Sequence, residues 1–452
     1  MFSNLLPRPA HLKPLGGSRA LAEHEPTLLN DPDLPAEGYR LSITADEATL
    51  AYSTDAGKFY GLQTLLQLRQ TDGTVPLALI EDAPAFRWRG FMIDSSRHIQ
   101  TVDEIKTFID AASRFKLNVF HWHLCDDPGW RLEVERYPRL AEVAAYRDGW
   151  GFGNDNPERY GGCFTKAQIR DIIDFCAARH ITVVPEFDIP GHSSALIHAY
   201  PHLSCTGDDV AVLKDACVSD NVLCPGKETT FDFCEGVLEE IIDLFPGQYI
   251  HIGGDEVPKD SWDVCPLCQK RIADEGLADS EELQGYFTKR IAAFIKSHGK
   301  TPIGWNEVLN AGLDPDDVVV CKWHDDRSRC DDFANRGGKI IMEETKHVYL
   351  DYDYHRTPLQ QTYRYNLLPD SLTAAGKQNV LGVEAPIWTE WVETFRRMCY
   401  MCFPRLLAAA ELGWYGKAAT NYPDFKARAE AQRSALAAIG VEMAPLSDWD
   451  PE

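Results

Sequence analysis

Two adjacent carboxylates, Asp255 and Glu256, follow an apolar run and two glycines in the stretch YIHIGGDEVPKD at residues 249–260. Neighbouring strand residues point to opposite faces, so these two acids are poorly placed to face each other across one reacting bond. They are better placed for two different tasks at adjacent points. One acid can protonate a leaving oxygen while the other holds a second substrate group, which could itself be the nucleophile.

Acidic and aromatic residues also end the other short apolar runs of the chain. Acids supply proton transfer and hydrogen bonds to hydroxyls, and indole faces pack on the apolar C–H faces of a neutral ring. Together they predict a sugar substrate, whereas a phosphorylated one would favour Gly-rich loops and clustered cations. The run-end residues are Asp94, Arg97, His121, His123, Asp126, Asp127, Glu186, Asp188, His192, Trp305, Glu307, Trp323, His324, Tyr349, Asp351, Trp388 and Glu390.

Eight short apolar runs precede these residues. The chain repeats one unit, which consists of an apolar run, a loop and an amphipathic helix. The runs begin near residues 90, 118, 181, 249, 301, 318, 339 and 380. Thr101 and Thr165 precede Glu or Gln by three residues, which is the capping-box pattern of a helix start. Alternating strands and helices predict parallel strands that close into a (β/α)8 TIM barrel, with an active face formed by the loops after the strands.

The first part of the chain has a different pattern. Residues 38–70 alternate apolar and polar positions through two strand-like runs and then take helical spacing from about Gly57. Pro84 precedes a fresh apolar run and marks a change of pattern. The sequence therefore predicts a small α+β sheet domain over residues 1–84 and a catalytic barrel over residues 85–452.

Composition narrows the class of partner. The chain has 452 residues, with 69 acidic and 45 basic side chains and a net charge of −24, which disfavours nucleic acid and anionic membranes. No run approaches the ~20 apolar residues of a membrane span, and no secretory signal is visible at the start. Thirteen cysteines, an odd number, are typical of a reducing compartment. We expect a soluble cytoplasmic protein, unless a leader has been removed.

Cys265 and Cys268, in DVCPLCQK, have the CxxC spacing of half a zinc site. The cysteines that stand shortly before them do not supply a second half-site of this kind, because six residues separate Cys217 from Cys224. We therefore expect two small residues at the start of a helix, and neither a metal nor an organic cofactor.

Several motifs resemble those of glycoside hydrolase family 20, the β-N-acetylhexosaminidases. HIGGDEV at 251–257 resembles the family signature, and residues 37–68 resemble its small N-terminal domain. The other motifs follow in the family's order, namely IDSSRH (93–98), FHWHLCDDPGWR (120–131), PEFDIPGH (185–192), GWNE (304–307), YLD (349–351) and GVEAPIWTE (382–390). The resemblance implies a retaining exo-enzyme that releases terminal β-linked GlcNAc or GalNAc, with the substrate's own acetamido oxygen as nucleophile and an oxazolinium intermediate.

The resemblance also implies catalytic roles, carried over motif by motif. Glu256 would be the general acid and base, and Asp255 would orient the acetamido N–H and stabilise the cationic intermediate. Tyr349 would hold the acetamido oxygen, while His192 and Asp126 would form a relay that tunes Glu256. A nearby anion and a water-poor indole cage both raise a carboxyl pKa, so Glu256 can stay protonated near neutral pH beside an ionised Asp255.

The remaining matched residues would bind the sugar, a small oligosaccharide or glycoconjugate. Asp188 would lie near the relay. Ring hydroxyls would contact Arg97, Asp351 and Glu390, and the acetamido group and ring would be caged by Trp305, Trp323 and Trp388.

Some alternatives stay open at this point. A related enzyme that releases a disaccharide would carry the same motifs, and so would a non-catalytic sugar-binding barrel, although both Asp255 and Glu256 are present here. A metal-dependent hydrolase is a weaker alternative, because the HxH at His121 and His123 follows the second run rather than the first. Three tryptophans could be either core residues or sugar platforms, namely Trp122, Trp130 and Trp391.

Overall fold

The computed structural model describes residues 2, 4–22, 24–324, 327–416 and 421–451. A five-stranded sheet of order β1-β5-β3-β4-β2 and one helix form its first part. The elements are β1 (His11–Ala20), β2 (Thr27–Asn30), β3 (Tyr39–Ile43), β4 (Ala48–Tyr52), α1 (Asp55–Leu68) and β5 (Thr74–Asp82). The predicted strand runs and helix correspond to β3, β4 and α1. β1 and β2 were not predicted, because their residues are largely exposed and do not alternate between apolar and polar types.

Eight further strands close into a parallel barrel of order β12-β13-β14-β15-β16-β17-β6-β7. They confirm the predicted (β/α)8 barrel, and each lies at one of the eight apolar runs. Two short hairpins, β8–β9 and β10–β11, extend from the loops. The strands are β6 (Trp88–Asp94), β7 (Val119–His123), β8 (Cys125–Asp126), β9 (Gly129–Trp130), β10 (Tyr146–Arg147), β11 (Tyr160–Gly161), β12 (Thr182–Glu186), β13 (Tyr249–His251), β14 (Thr301–Trp305), β15 (Val319–Lys322), β16 (Ile340–Met342) and β17 (Val380–Ile387).

Helices surround the barrel. Both predicted capping boxes are present, at Thr101 of α2 and at Thr165 of α3. The helices are α2 (Val102–Arg114), α3 (Lys166–Ala177), α4 (Ser194–Ala199), α5 (Glu228–Leu244), α6 (Asp260–Val264), α7 (Pro266–Glu275), α8 (Ser280–Ser297), α9 (Arg327–Asn335), α10 (Thr345–Val348), α11 (Leu359–Tyr363), α12 (Ala374–Lys377), α13 (Phe395–Cys402), α14 (Arg405–Tyr415), α15 (Tyr422–Ala431) and α16 (Arg433–Ala437). None of the helices in the described ranges combines the length and apolar character that a membrane span requires.

The regular alternation of strand and helix fails at one place. A 3₁₀ helix (Asn306–Ala311), rather than an α-helix, connects β14 to β15. Gly312 ends it in a left-handed conformation, and Pro315 follows shortly after. Both residues oppose continuation of an α-helix, so the short connection has no room for one.

A buried polar cluster joins the small sheet to the barrel. The carboxylate of Asp82, at the end of β5, accepts hydrogen bonds from Tyr39 (2.7 Å), Lys116 Nζ (3.1 Å) and Trp414 Nε1 (2.9 Å). Lys116 and Trp414 belong to the barrel part, whereas Tyr39 and Asp82 belong to the sheet. Burial lowers the pKa of Lys116, and Asp82 opposes that shift.

Candidate active site

A cavity of about 420 Å³ lies where the loops after the barrel strands meet. All predicted site residues except Asp188 and Trp305 line it, namely Arg97, Asp126, His192, Asp255, Glu256, Trp323, Tyr349, Asp351, Trp388 and Glu390. Four further residues complete the lining: Ala216, Tyr352, Arg356 and Trp391. Acids, one arginine and aromatic rings therefore converge on one concave site, as the run ends predicted.

The two glycines before the acid pair allow a close approach of backbone and side chain. Gly253 and Gly254 have φ of +64° and +95°, a region that favours glycine. A Cβ on Gly253 would lie 1.6 Å from Oδ1 of Asp188, and the backbone N–H of Gly254 donates to that same oxygen at 3.2 Å. Glu256 follows with φ +46°, which is unfavourable for a residue with a Cβ. The loop is thus held in a strained path that presents both acids.

Asp255 is a buried carboxylate, and one of its oxygens accepts no hydrogen bond from the described residues. The residue is 7% exposed, and its Oδ1 has no hydrogen-bond partner among the described residues. Its Oδ2 lies 3.6 Å from Nε2 of His192. A buried acceptor without a donor costs about 1–3 kcal/mol, which a donor from a ligand in the cavity would offset. The side chain is therefore suited to accept a substrate N–H.

Glu256 is more open to the cavity, with 40% of its side chain exposed. Partial burial of the Glu256 carboxyl raises its pKa, and the charge of the neighbouring Asp255 raises that pKa further. Its Oε2 lies 3.6 Å from Nε2 of His192, so both acids face one imidazole. A carboxyl that keeps its proton to higher pH and remains accessible is suited to be a general acid.

His192 and Asp126 connect the acid pair to Arg97 along the lining of the cavity. His192 Nδ1 lies 3.2 Å from Asp126 Oδ1, and Asp126 Oδ2 lies 2.7 Å from Arg97 Nη2. Burial alone would lower the pKa of His192, but Asp126 and Asp188 outweigh it and raise that pKa well above its usual value. Burial alone would raise the pKa of Asp126, but Arg97 and His192 outweigh it and lower that pKa. The relay therefore carries a positive imidazolium between carboxylates.

An aromatic wall closes one side of the cavity. The Tyr349 ring centroid lies 6.1 Å from that of Trp323 and 6.4 Å from that of Trp388. Trp323 Nε1 donates a hydrogen bond of 2.7 Å to Glu307, which fixes the indole. Burial, together with Asp255, raises the pKa of Glu307 to about 8.

Charged groups of the cavity lining gather beside Trp388. Arg97 Nη2 lies 3.7 Å from Glu390, and the Arg97 guanidinium lies 5.0 Å from the centre of the Trp388 ring. Burial, followed by the charge of Glu390, raises the pKa of Asp351 to about 7. These side chains offer both donors and acceptors, which suits the hydroxyls of a sugar.

Profile matches cover both parts of the chain. The profile described as "Glycosyl hydrolase family 20, catalytic domain" matches residues 86–417. A second profile, described as domain 2 of the same family, matches residues 8–83. The chain belongs to glycosyl hydrolase family 20.

Curated relatives within family 20 carry matching descriptions. A "Beta-hexosaminidase" of Porphyromonas gingivalis is 41% identical over 87% of this chain and 52% of its own length. Another "Beta-hexosaminidase", of Vibrio furnissii, is 36% identical over 85% of this chain and 66% of its own length. The chain thus spans about half to two thirds of the length of these two relatives.

Solved structures from the family share the fold over almost the whole chain. The β-N-acetylhexosaminidase of Bacteroides fragilis superposes with a TM-score of 0.87 at 31% identity and covers 99% of each chain. An exo-β-N-acetylglucosaminidase of Vibrio harveyi, solved with N-acetylglucosamine, gives a TM-score of 0.89 at 29% identity. That match covers 99% of this chain and 79% of the other.

Two of the residues matched to family 20 motifs lie behind the cavity wall rather than on it. Trp305 is 1% exposed, because its indole N–H donates to Glu186 at 2.9 Å and draws the ring into the barrel interior. Asp188 is 2% exposed and is covered by the Gly253–Gly254 turn. Burial raises the pKa of Asp188 well above its usual value, and Asp255 adds to the effect. Asp188 lies beside His192 and Asp255, near the relay as the sequence predicted. Neither Trp305 nor Asp188 is among the residues that line the cavity, so a direct contact of either with a sugar stays a prediction.

Other residues of this family 20 site were not among the predicted set. Glu307 stands two positions after Trp305, and its place at a run end was the available signal. Tyr352 and Arg356 follow the YLD motif, in a loop that no periodic pattern could place. Trp391 is 65% exposed and lines the cavity, so it is not a core residue. In contrast, the two other undecided tryptophans, Trp122 and Trp130, are buried in the core.

Proposed function

We propose that this chain is a retaining exo-β-N-acetylhexosaminidase. It would release terminal β-linked GlcNAc or GalNAc from small oligosaccharides or glycoconjugates through an oxazolinium intermediate. The observation that supports it most directly is the buried, unpartnered oxygen of Asp255 beside the accessible acid Glu256. The descriptions of the relatives agree with this activity.

Substrate binding would use the two ends of the cavity. Hydroxyls of the terminal sugar would meet Arg97, Asp351 and Glu390, and the apolar face of the ring would pack on Trp388. The acetamido group would lie toward Trp323 and Tyr349. This orientation brings the acetamido N–H to the free oxygen of Asp255 and the glycosidic oxygen to Glu256.

In the first chemical step, the acetamido oxygen would attack the anomeric carbon. A bond forms between that oxygen and the carbon as the bond to the aglycone breaks, and Glu256 gives its proton to the leaving oxygen. The acetamido group becomes a cationic oxazolinium. Asp255 would stabilise its charge, and Tyr349 would hold its oxygen.

In the second step, water would attack the anomeric carbon from the side that the aglycone left. Glu256, now a carboxylate, takes a proton from this water, and the bond to the acetamido oxygen breaks. The acetamido group is restored, and two inversions retain the β configuration. The imidazolium of His192, 3.6 Å from both acids, would stabilise their charges during the cycle.

Paired aryl glycosides test this proposal. Purified protein is given p-nitrophenyl β-GlcNAc and, separately, the matching β-glucoside, with and without a stable thiazoline mimic of the oxazolinium. We expect turnover of the acetamido sugar alone and competitive inhibition by the thiazoline. Equal turnover of the glucoside would overturn acetamido participation. Thiazoline binding without turnover of either sugar would favour a sugar-binding barrel.

A further inference from the structure

Four cysteines from distant parts of the chain meet beside the loop that carries the acid pair. They are Cys205, Cys224, Cys265 and Cys268, and their sulfur atoms all lie within 4.8 Å of one another. The Sγ of Cys224 lies 3.5 Å from that of Cys268 and 3.9 Å from that of Cys265. Cys205 and Cys268 are 3.8 Å apart at their sulfurs. All except the partly exposed Cys205 are buried.

These separations match a metal site. Zinc bound by four thiolates at about 2.3 Å in a tetrahedron places its sulfurs about 3.8 Å apart, and sites of this composition are structural. We propose that Cys205, Cys224, Cys265 and Cys268 bind one Zn²⁺ as a structural tetrathiolate site. Binding displaces the remaining thiol protons to solvent and leaves a complex of charge −2.

The fold brings together four cysteines whose spacing in the sequence did not indicate a zinc site. Cys265 and Cys268 form the closely spaced pair, as the sequence indicated. Their partners are two single cysteines that stand before them in the chain, and Cys224 pairs with Cys205 rather than with Cys217. Because the partners lie 19 residues apart in the connection between α4 and α5, no short motif joins them.

The two segments that hold the cysteines are built to pack on each other. A Cβ on Gly226 would lie 2.4 Å from the backbone carbon of Leu267 and 2.5 Å from the backbone nitrogen of Cys268. Only glycine allows this contact between the CPGK and CPLC turns. Trp262 Nε1 donates to the carbonyl of Leu223 at 2.9 Å and joins the same segments.

The electrostatic surroundings favour thiolates. Cys265 is the N-cap of α7, Pro266 opens that helix and Cys268 lies in its first turn, so both cysteines stand at the positive end of the helix dipole. Zinc would replace the protons that these thiols share.

The cluster also contacts the catalytic loop. Val257, the residue after Glu256, packs against the apolar shell of the cysteines, which includes Trp262 and Leu283. A metal that cross-links the two cysteine segments would therefore hold in place the residues that pack beneath Val257, next to Glu256. The site would position the loop, and its zinc would not touch the substrate.

Metal analysis of the full chain tests the proposal. The protein is purified without chelator, dialysed and measured by mass spectrometry for zinc and iron. We expect about one zinc per chain in the wild type and less than about a tenth of that in Cys265→Ser/Cys268→Ser. The matched control is Cys217→Ser, an exposed cysteine outside the cluster, which should keep its zinc.

A second measurement does not depend on the folding of a variant. Wild-type protein with its zinc exchanged for Co²⁺ should show the visible and sulfur-to-metal charge-transfer bands of a tetrahedral tetrathiolate. The proposal would be overturned if the protein contained no metal and mass spectrometry without reductant found disulfides among these cysteines. So would one iron per chain, four free thiols that take up no zinc, or loss of zinc from Cys217→Ser.

Discussion

Two buried carboxylates at neighbouring barrel positions, Glu186 and Asp255, have very different surroundings. Glu186 ends β12 and is 1% exposed, and Asp255 follows β13 and is 7% exposed. Glu186 Oε1 lies 2.9 Å from both Trp305 Nε1 and His251 Nδ1, while its Oε2 contacts His123 and lies 3.2 Å from His121 Nε2. Asp255, by contrast, has one oxygen with no hydrogen-bond partner in the part of the chain that the structure describes, and the His192 imidazole lies 3.6 Å from its other oxygen.

The difference shows that burial does not by itself mark a functional acid. Burial would raise the pKa of Glu186, but His123, His251 and His121 outweigh it and lower that pKa well below the usual range. Its hydrogen-bonding capacity is filled from within the protein. Asp255 retains capacity and faces a cavity, so its partner has to come from a ligand. We infer that Glu186 serves folding and that Asp255 serves binding and catalysis.

The largest effect is expected at the accessible member of the acid pair. Glu256→Gln removes the transferable proton but keeps the size of the side chain, so kcat on substrates with poor leaving groups should fall by about 10²–10⁴. The thermal midpoint should stay near that of the wild type. Kinetics on p-nitrophenyl and alkyl glycosides check this, with Glu239→Gln, on the exposed face of α5, as the control. Unchanged turnover would contradict the assignment.

The interior carboxylate should behave in the opposite way. Glu186→Gln leaves three buried histidines without their shared anion, so the free energy of unfolding should fall by about 3–5 kcal/mol. Chemical denaturation measures this change. The activity of the protein that remains folded should change far less than in Glu256→Gln. If Glu186→Gln kept its stability and lost its activity, the comparison between interior and cavity would fail.

The pH dependence of that loss has a defined sign. Burial lowers the pKa of His121, but Glu384 and Glu186 outweigh it and raise it to about 10, against about 6.5 when unfolded. Charged His121 therefore stabilises the fold fully below pH 6.5, and the contribution is lost as the pH rises toward 10. The stability difference between wild type and Glu186→Gln should shrink over that range.

A smaller loss is expected for the unpartnered acid. Asp255→Asn keeps the shape but removes the anion that would stabilise the oxazolinium, so kcat should fall by about 10²–10³. The unfolding free energy should stay close to that of the wild type, because the charge that is lost beside His192 is also one that repels Glu256 and Asp188. A stability loss as large as that of Glu186→Gln would show that Asp255 also serves folding.

The smallest effect is a shift in the pH profile of the same variant. Burial and then Asp255 raise the pKa of Glu256, so removal of the Asp255 charge should lower it. The alkaline limb of kcat/KM should move to lower pH by roughly one unit or less. The control is again Glu239→Gln, which should leave the limb in place. A shift to higher pH would contradict this account of the pair.

Features set by local pattern were predictable from the sequence. The eight barrel strands are continuous apolar runs, and two helices start at capping boxes that the structure contains. The residues that follow those strands converge because parallel strands share one end. For this reason most of the cavity lining was predictable from the sequence alone.

Depth and long-range pairing were not predictable. Trp305 ends β14 and Trp388 directly follows β17, but a hydrogen bond from Trp305 to Glu186 holds the Trp305 ring below the cavity. Trp391 is a large aromatic residue of the kind that usually packs in a core, but its side chain is exposed. Cys205 meets Cys268 only because the segment that follows α4 packs against the start of α7. In each case the outcome depends on a partner far along the chain, which no local period encodes.

The junction at Asp82 has a consequence for heat denaturation and for truncation. Its carboxylate is shared by donors from both parts of the chain, and Trp414 lies in the core of the sheet domain. Neither part can melt without exposing that indole and separating Lys116 from its anion. The two parts should therefore denature in one calorimetric transition, and a barrel produced from residue 85 onward should aggregate.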